Sequence, residues 1–216
     1  AGIASPGLPT MPPSLLARGS LTRVAGPLLD EARLLQLRDA FRQLAIGLHA
    51  LHRAGHLHRD VKPSNVLVTD QGRVVLVDFG VLITLSTDDP FGHLLAGTPS
   101  YMAPEQITGA PLSEACDWYA VGTMLYELLA GRRPFLGAAH EIMALRTSGD
   151  PLPLLAVEPR APADLACLAD KLLARDPAAR PAGEEVLERL GGPRASRRGA
   201  AVVAPSVDSS PLIGRE

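Results

Sequence analysis

Apolar positions set the organisation of the chain. From Asp30 onward, Leu34, Leu37, Phe41, Leu44, Leu48 and Leu51 recur at alternating steps of three and four. That is one face of a helix, with Asp30 as its N-cap and Gly55 as its stop. The stripe covers fewer than four heptads and Gly47 interrupts it, which favours a helix buried in a domain over half of a coiled coil. The runs Val66 to Val68 and Val74 to Val77 flank Thr69-Asp70-Gln71-Gly72-Arg73, the composition of a tight connection, and predict two short antiparallel strands. Asp78-Phe79-Gly80 closes the second strand. The polar, Gly-containing stretch from Val81 to Pro99 has no clear period and is expected to be a mobile surface segment. Helical signals return over Ser113 to Ala130, stopped by Gly131, and again over His140 to Thr147, Ala163 to Arg175 and Gly183 to Leu190.

The flanks lack such periods. Residues 1–27 are rich in Pro, Gly and Ser and read as an irregular lead-in, while residues 192–211 have a linker composition. The 216 residues, 46% of them apolar, suffice for one medium domain with a core. A net charge of -2 with scattered Lys and Arg argues against a nucleic-acid binder or a membrane-surface protein. Cys116 and Cys167 have no metal-ligand spacing and fall in apolar helical patterns, so both are expected to be reduced core thiols. No run of about 18 apolar residues exists and the N-terminus lacks a signal-peptide layout, which predicts a cytoplasmic protein. The chain opens on Ala1 and stops at Glu216 just after an apolar patch, which is compatible with cuts at both ends.

Candidate chemistry concentrates in one stretch, His58-Arg59-Asp60-Val61-Lys62-Pro63-Ser64-Asn65. The chain contains nineteen Arg but only two Lys, Lys62 and Lys171, so a lysine here is a specific choice. Asp60, Lys62, Asn65 and, across the hairpin, Asp78 make up a parts list for phosphoryl transfer. A carboxylate orients a hydroxyl nucleophile, an amide oxygen and a second carboxylate hold hard Mg²⁺, and an ammonium follows the migrating phosphoryl group. A compact charge on a flexible stem tracks a moving phosphate better than a planar guanidinium. Asp60 or Asp78 alone would be an ordinary solvated turn carboxylate; only the combination raises them. His49, His52, His56 and His58 lie close together but have no Cys or carboxylate at ligand spacing among them, which argues against a zinc cluster. Tyr101, Trp118 and Tyr126 read as packing residues.

The stretch from His58 to Asn65 resembles the catalytic loop of eukaryotic-like, bacterial-type serine/threonine protein kinases. Asp78-Phe79-Gly80 resembles their magnesium motif, and Ala103-Pro104-Glu105 after "GTPSYM" resembles the end of their activation segment. The resemblance implies that Asp60 is the catalytic base, that Lys62 contacts the γ-phosphate, and that Asn65 and Asp78 bind Mg²⁺. Leu67 joins Lys62, Asn65 and Asp78 among the implied ATP-site positions, and Thr98 matches the threonine bridging base and lysine. Lys62 and Thr98 together imply Ser or Thr hydroxyls of a protein substrate. Arg59 resembles the arginine that receives an activation-segment phosphate, with Thr84, Ser86 and Thr87 as candidate acceptors. Glu105 and Arg180 look like a structural ion pair, Asp117 like a buried residue that binds the catalytic-loop backbone, and Phe79 would stack on His58.

The similarity covers residues 28–191 and implies a mainly α fold with a short β-hairpin, the C-terminal lobe of a kinase whose full domain would be α+β and two-lobed. The glycine-rich loop, strand lysine and helix glutamate of a small lobe are not found, since no Lys precedes Lys62. Two readings follow: an incomplete catalytic domain that is inactive alone, or a non-catalytic docking or regulatory module. Pro211-Leu212-Ile213-Gly214-Arg215-Glu216 resembles the start of ATPase modules that follow the kinase domain in some large bacterial signalling proteins, so residues 192–216 are expected to link to a fused ATPase or sensor domain.

Overall fold

The computed structural model describes residues 30–78, 83–84 and 100–191. Helix α1 (Glu31–Arg53) starts where the pattern predicts, with the Asp30 carboxylate accepting the Arg33 N–H at 2.8 Å. Its inward face is Leu37, Phe41, Leu44, Ala45, Leu48 and His52, and Gly55 adopts a positive φ just past its end. The Gly47 position meets no neighbouring atom, so this glycine interrupts the stripe without a packing consequence.

Two small antiparallel sheets follow. β1 (His56–Leu57) pairs with β4 (Ile83–Thr84), and β2 (Val66–Val68) pairs with β3 (Val74–Leu76) in the register Val66 opposite Leu76. The second pair is the predicted hairpin, and Gly72 takes the positive φ its turn requires. The first pair joins residues 26 and 28 positions apart that carry no strand pattern of their own.

The rest is helical: α2 (Pro104–Thr108), α3 (Ala115–Ala130), α4 (Ala139–Ser148), α5 (Leu154–Val157), α6 (Ala163–Leu172) and α7 (Gly183–Gly191). Helix α3 is the axis of the core, because every residue from Cys116 to Tyr126 is buried. A helix apolar all round must be covered on all sides, and α6 lies against it so closely that a methyl group on Gly122 would sit 2.6 Å from Leu172 Cβ. Helix α7 packs across α1, where Gly183 touches His49 and Trp118.

Two expectations are corrected. The helix predicted to run to Arg175 ends at Leu172, because the backbone leaves helical geometry before the turn at Pro177. Cys116 is buried, but Cys167 is exposed. It lies between two buried pairs on α6, Leu165-Ala166 and Leu168-Ala169, and the helical rotation of about 100° per residue turns it outward. The expected mobile stretch at Val81–Pro99 falls outside the described residues, apart from β4. So do the linker and the fused-domain motif.

Candidate active site

The loop between β1 and β2 is held from beneath by one carboxylate. Asp117, fully buried on α3, accepts the backbone N–H of His58 at 2.9 Å, that of Arg59 at 2.7 Å, and the His52 ring at 2.8 Å. The His52 Nε2 therefore carries the proton and donates it. His58 adds a second brace: its Nε2 meets the Val77 carbonyl at 3.2 Å and its Nδ1 accepts the Asp60 N–H at 3.4 Å. Arg59 sits at φ 67°, a left-handed conformation that costs a non-glycine residue about 1–3 kcal/mol. It persists because both ends of the residue are fixed, the N–H by Asp117 and the carbonyl by Gln106 Nε2 at 2.9 Å.

Above this brace Asp60, Lys62 and Asn65 meet. Lys62 Nζ lies 2.5 Å from Asp60 Oδ2, and Asn65 Nδ2 donates to the Asp60 carbonyl at 2.9 Å and to Asp60 Oδ2 at 3.1 Å. Val61, between Asp60 and Lys62, packs into the core. The amide nitrogen of Asn65 is committed to acceptors, so its oxygen is left to accept, which it does from Ser64 Oγ at 3.3 Å. The Asn65 carbonyl receives the Val77 N–H at 2.9 Å, placing Asn65 and Asp78 at the same end of the hairpin. Asp78 is exposed and, like Arg59, has a left-handed backbone, with φ 64°. Leu67 lies half-buried on β2 opposite Val75. Thr98, Phe79, Ser86 and Thr87 are outside the described residues.

These donors fit a hard cation. One amide oxygen and one carboxylate supply two oxygen ligands, and Mg²⁺ takes few protein ligands while keeping waters and substrate phosphates. Among the described residues no group of three or more His, Cys, Asp and Glu could hold a metal ion.

Downstream, the segment from Ser100 to Glu105 is anchored at both ends. Arg180 forms a bidentate pair with Glu105 at 2.6 and 2.9 Å and donates to the carbonyls of Ala115, Ala174 and Arg175, so all five guanidinium N–H groups are used. Arg146, also buried, donates to the carbonyls of Ser100 and Met102. Burial lowers its pKa, and the same cause raises that of Tyr119. Burial and a 2.6 Å hydrogen bond to Glu127 raise the Tyr101 hydroxyl well above the ordinary tyrosine value. The ion pair and the Asp117 contacts match the resemblance. The roles of His52, Gln106 and Arg146 were not read from sequence. A histidine on the buried face of α1 was the one available hint.

The chain matches the family model described as "Protein kinase domain" over residues 16–190, and it belongs to that family. Its relatives include bacterial serine/threonine-protein kinases. It is 39% identical to serine/threonine-protein kinase PknK of Mycobacterium tuberculosis over 152 residues, 67% of this chain and 14% of that protein. It is 35% identical to the PknA kinase of the same species over 179 residues, 82% of this chain and 40% of the relative. The drp72 kinase of Corynebacterium efficiens is 34% identical over 178 residues, 80% of this chain and 33% of that protein. The chain thus spans less than half the length of each of these relatives.

Proposed function

We propose that the chain contributes the large, helical lobe of a protein kinase that transfers the γ-phosphoryl group of ATP to Ser or Thr hydroxyls of a protein substrate. The observation that carries this reading is the meeting of Asp60, Lys62 and Asn65 around one carboxylate oxygen, within 2.5 and 3.1 Å. In this role Asp60 accepts the proton of the substrate hydroxyl as its oxygen attacks phosphorus. Lys62 leaves its pairing with Asp60 to neutralise charge on the transferred group, which its single-point ammonium and flexible stem allow. Asn65 and Asp78 would hold Mg²⁺, and Leu67 would lie against the nucleotide. Magnesium held by these two residues would supply positive charge against that of the phosphates. The protein's own contribution is positioning: Asp117, His58 and Gln106 hold the loop so that the base does not have to find its geometry during the reaction.

Residues 28–191 form this lobe in our reading, with 1–27 a lead-in and 192–216 a linker toward a following ATPase or sensor module. A phosphate on Thr84, Ser86 or Thr87, received by Arg59, would order the preceding segment. A cytoplasmic location is proposed on the composition; among the described residues no helix is long and apolar enough to cross a membrane.

The test is label transfer from radioactive ATP by the full-length protein with Mg²⁺ and a protein acceptor, followed by identification of the phosphorylated amino acid. Phosphoserine or phosphothreonine is expected, and an Asp60→Asn variant should lose it. Transfer no faster than that of Asp60→Asn would leave a non-catalytic docking module as the reading instead.

A further inference from the structure

Arg146 is only 1% exposed, yet no carboxylate pairs with it among the described residues. Its guanidinium lies against two aromatic faces, with Cζ 5.2 Å from the Tyr119 ring centroid and 5.7 Å from that of Phe135. Nη1 donates to the Met102 carbonyl and Nη2 to the Ser100 carbonyl, while Nε is buried without a hydrogen-bond partner. Arg180 differs: it has a carboxylate and a full set of acceptors. A buried cation held only by carbonyls and π faces is a poor device for stability alone, because its desolvation is incompletely offset. What its geometry does achieve is to fix two alternate carbonyls, those of Ser100 and Met102, across the turn at Ser100 and Tyr101.

That stretch is linked to the base. The Ala103 N–H donates to Gln106 Oε1 at 2.9 Å, and Gln106 Nε2 donates to the carbonyl of Arg59, the residue before Asp60. Tyr119 lies under both guanidiniums, with Arg180 at 4.8 Å from its centroid, so the anchors at the two ends of the segment share one support. Arg133 adds a contact to the Ser100 hydroxyl.

We infer that Arg146 is a positioning residue for the protein acceptor: from α4, and through the backbone of Ser100 to Met102, it sets where the acceptor segment lies relative to Asp60. The inference rests on the kinase reading above, and it predicts an effect on the acceptor without one on ATP.

The experiment compares Arg146→Met, which removes the guanidinium but keeps the stem, with Arg146→Lys, which can serve only one carbonyl well. Both are made in the full-length protein, with dephosphorylated casein as acceptor. Arg146→Met is expected to lower kcat/KM for casein by about tenfold or more, as a displaced reactant would, with KM for ATP essentially unchanged. Arg146→Lys should fall between. Amide hydrogen exchange should quicken at Tyr101, Met102 and Ala103 but not at His58 and Arg59, which Asp117 holds. Unchanged exchange at 101–103, equal quickening at 58–59, or a parallel shift in KM for ATP would overturn the proposal. Should Arg146→Met fail to fold, Arg146→Lys decides by the same comparisons. A wild-type protein that transfers no phosphate would sink the kinase reading, and the exchange pattern would still decide whether Arg146 holds the segment.

Discussion

Asp60, the proposed base, owes its surroundings to placement. The carboxylate is held by Lys62 and Asn65, and its backbone is held through His58. General-base catalysis is typically worth about 10²–10⁴-fold, so Asp60→Asn should lower kcat of the full-length protein by that factor with little change in melting temperature. Asp170 is a different case. Burial raises its pKa against the opposing pull of the Leu154 N–H, which it accepts at 2.9 Å. A carboxyl whose folded pKa is raised favours folding below its unfolded pKa, near 3.9, and loses that contribution as pH rises through the folded value. Asp170→Asn keeps an acceptor for Leu154 without the charge. It should therefore melt higher than the parent at pH 7, with the gap closing as pH falls below the carboxylate range.

Among the elements, α3 and α6 pack closely, and that contact depends on a hydrogen at one position. Gly122 faces Leu172 across the interface with no space for a methyl group. Overpacking of this kind typically costs about 1–3 kcal/mol, so Gly122→Ala should lower stability by that amount in denaturant unfolding. A fall in the midpoint with an unchanged slope would locate the effect in the folded state. The same elements show which patterns could be read beforehand. The stripe on α1, the hairpin and the Gly131 stop on α3 follow from periodicity and local backbone preference, and they appear as expected. The β1–β4 pair and the short α5 could not be read that way, because two to four residues carry no period. Cys167 was misplaced because an apolar neighbourhood does not say which side of a helix faces out.

At the scale of the molecule, the described fold is a frame around α3 that presents one loop. Two lysines occur in the chain, Lys62 and Lys171, and in the proposed reading neither is the strand lysine that grips nucleotide phosphates in a small lobe. The 216-residue polypeptide on its own is therefore expected to transfer phosphate from ATP far below the roughly 1–100 per second of ordinary kinases. Label transfer by the purified chain at such rates would contradict the assignment of residues 28–191 to the large lobe. The anchors that matter at this scale, Asp117 under the loop and Arg180 on Glu105, act between positions 58 and 75 residues apart.

The sequence by itself determined the residue types at the centre, their spacing from Asp60 to Asp78, and the helices and hairpin that carry them. Those features depend on interactions over a few residues, where period and turn chemistry act directly. Only the tertiary structure decided that His52 and two loop amides converge on Asp117, that Gln106 ties the segment at Ala103 to the loop, and that Arg146 is buried beneath Ser100 and Met102. These contacts join remote parts of the chain. Which distant donor meets which acceptor is settled when the core packs, since buried polar groups must find partners wherever the fold brings them.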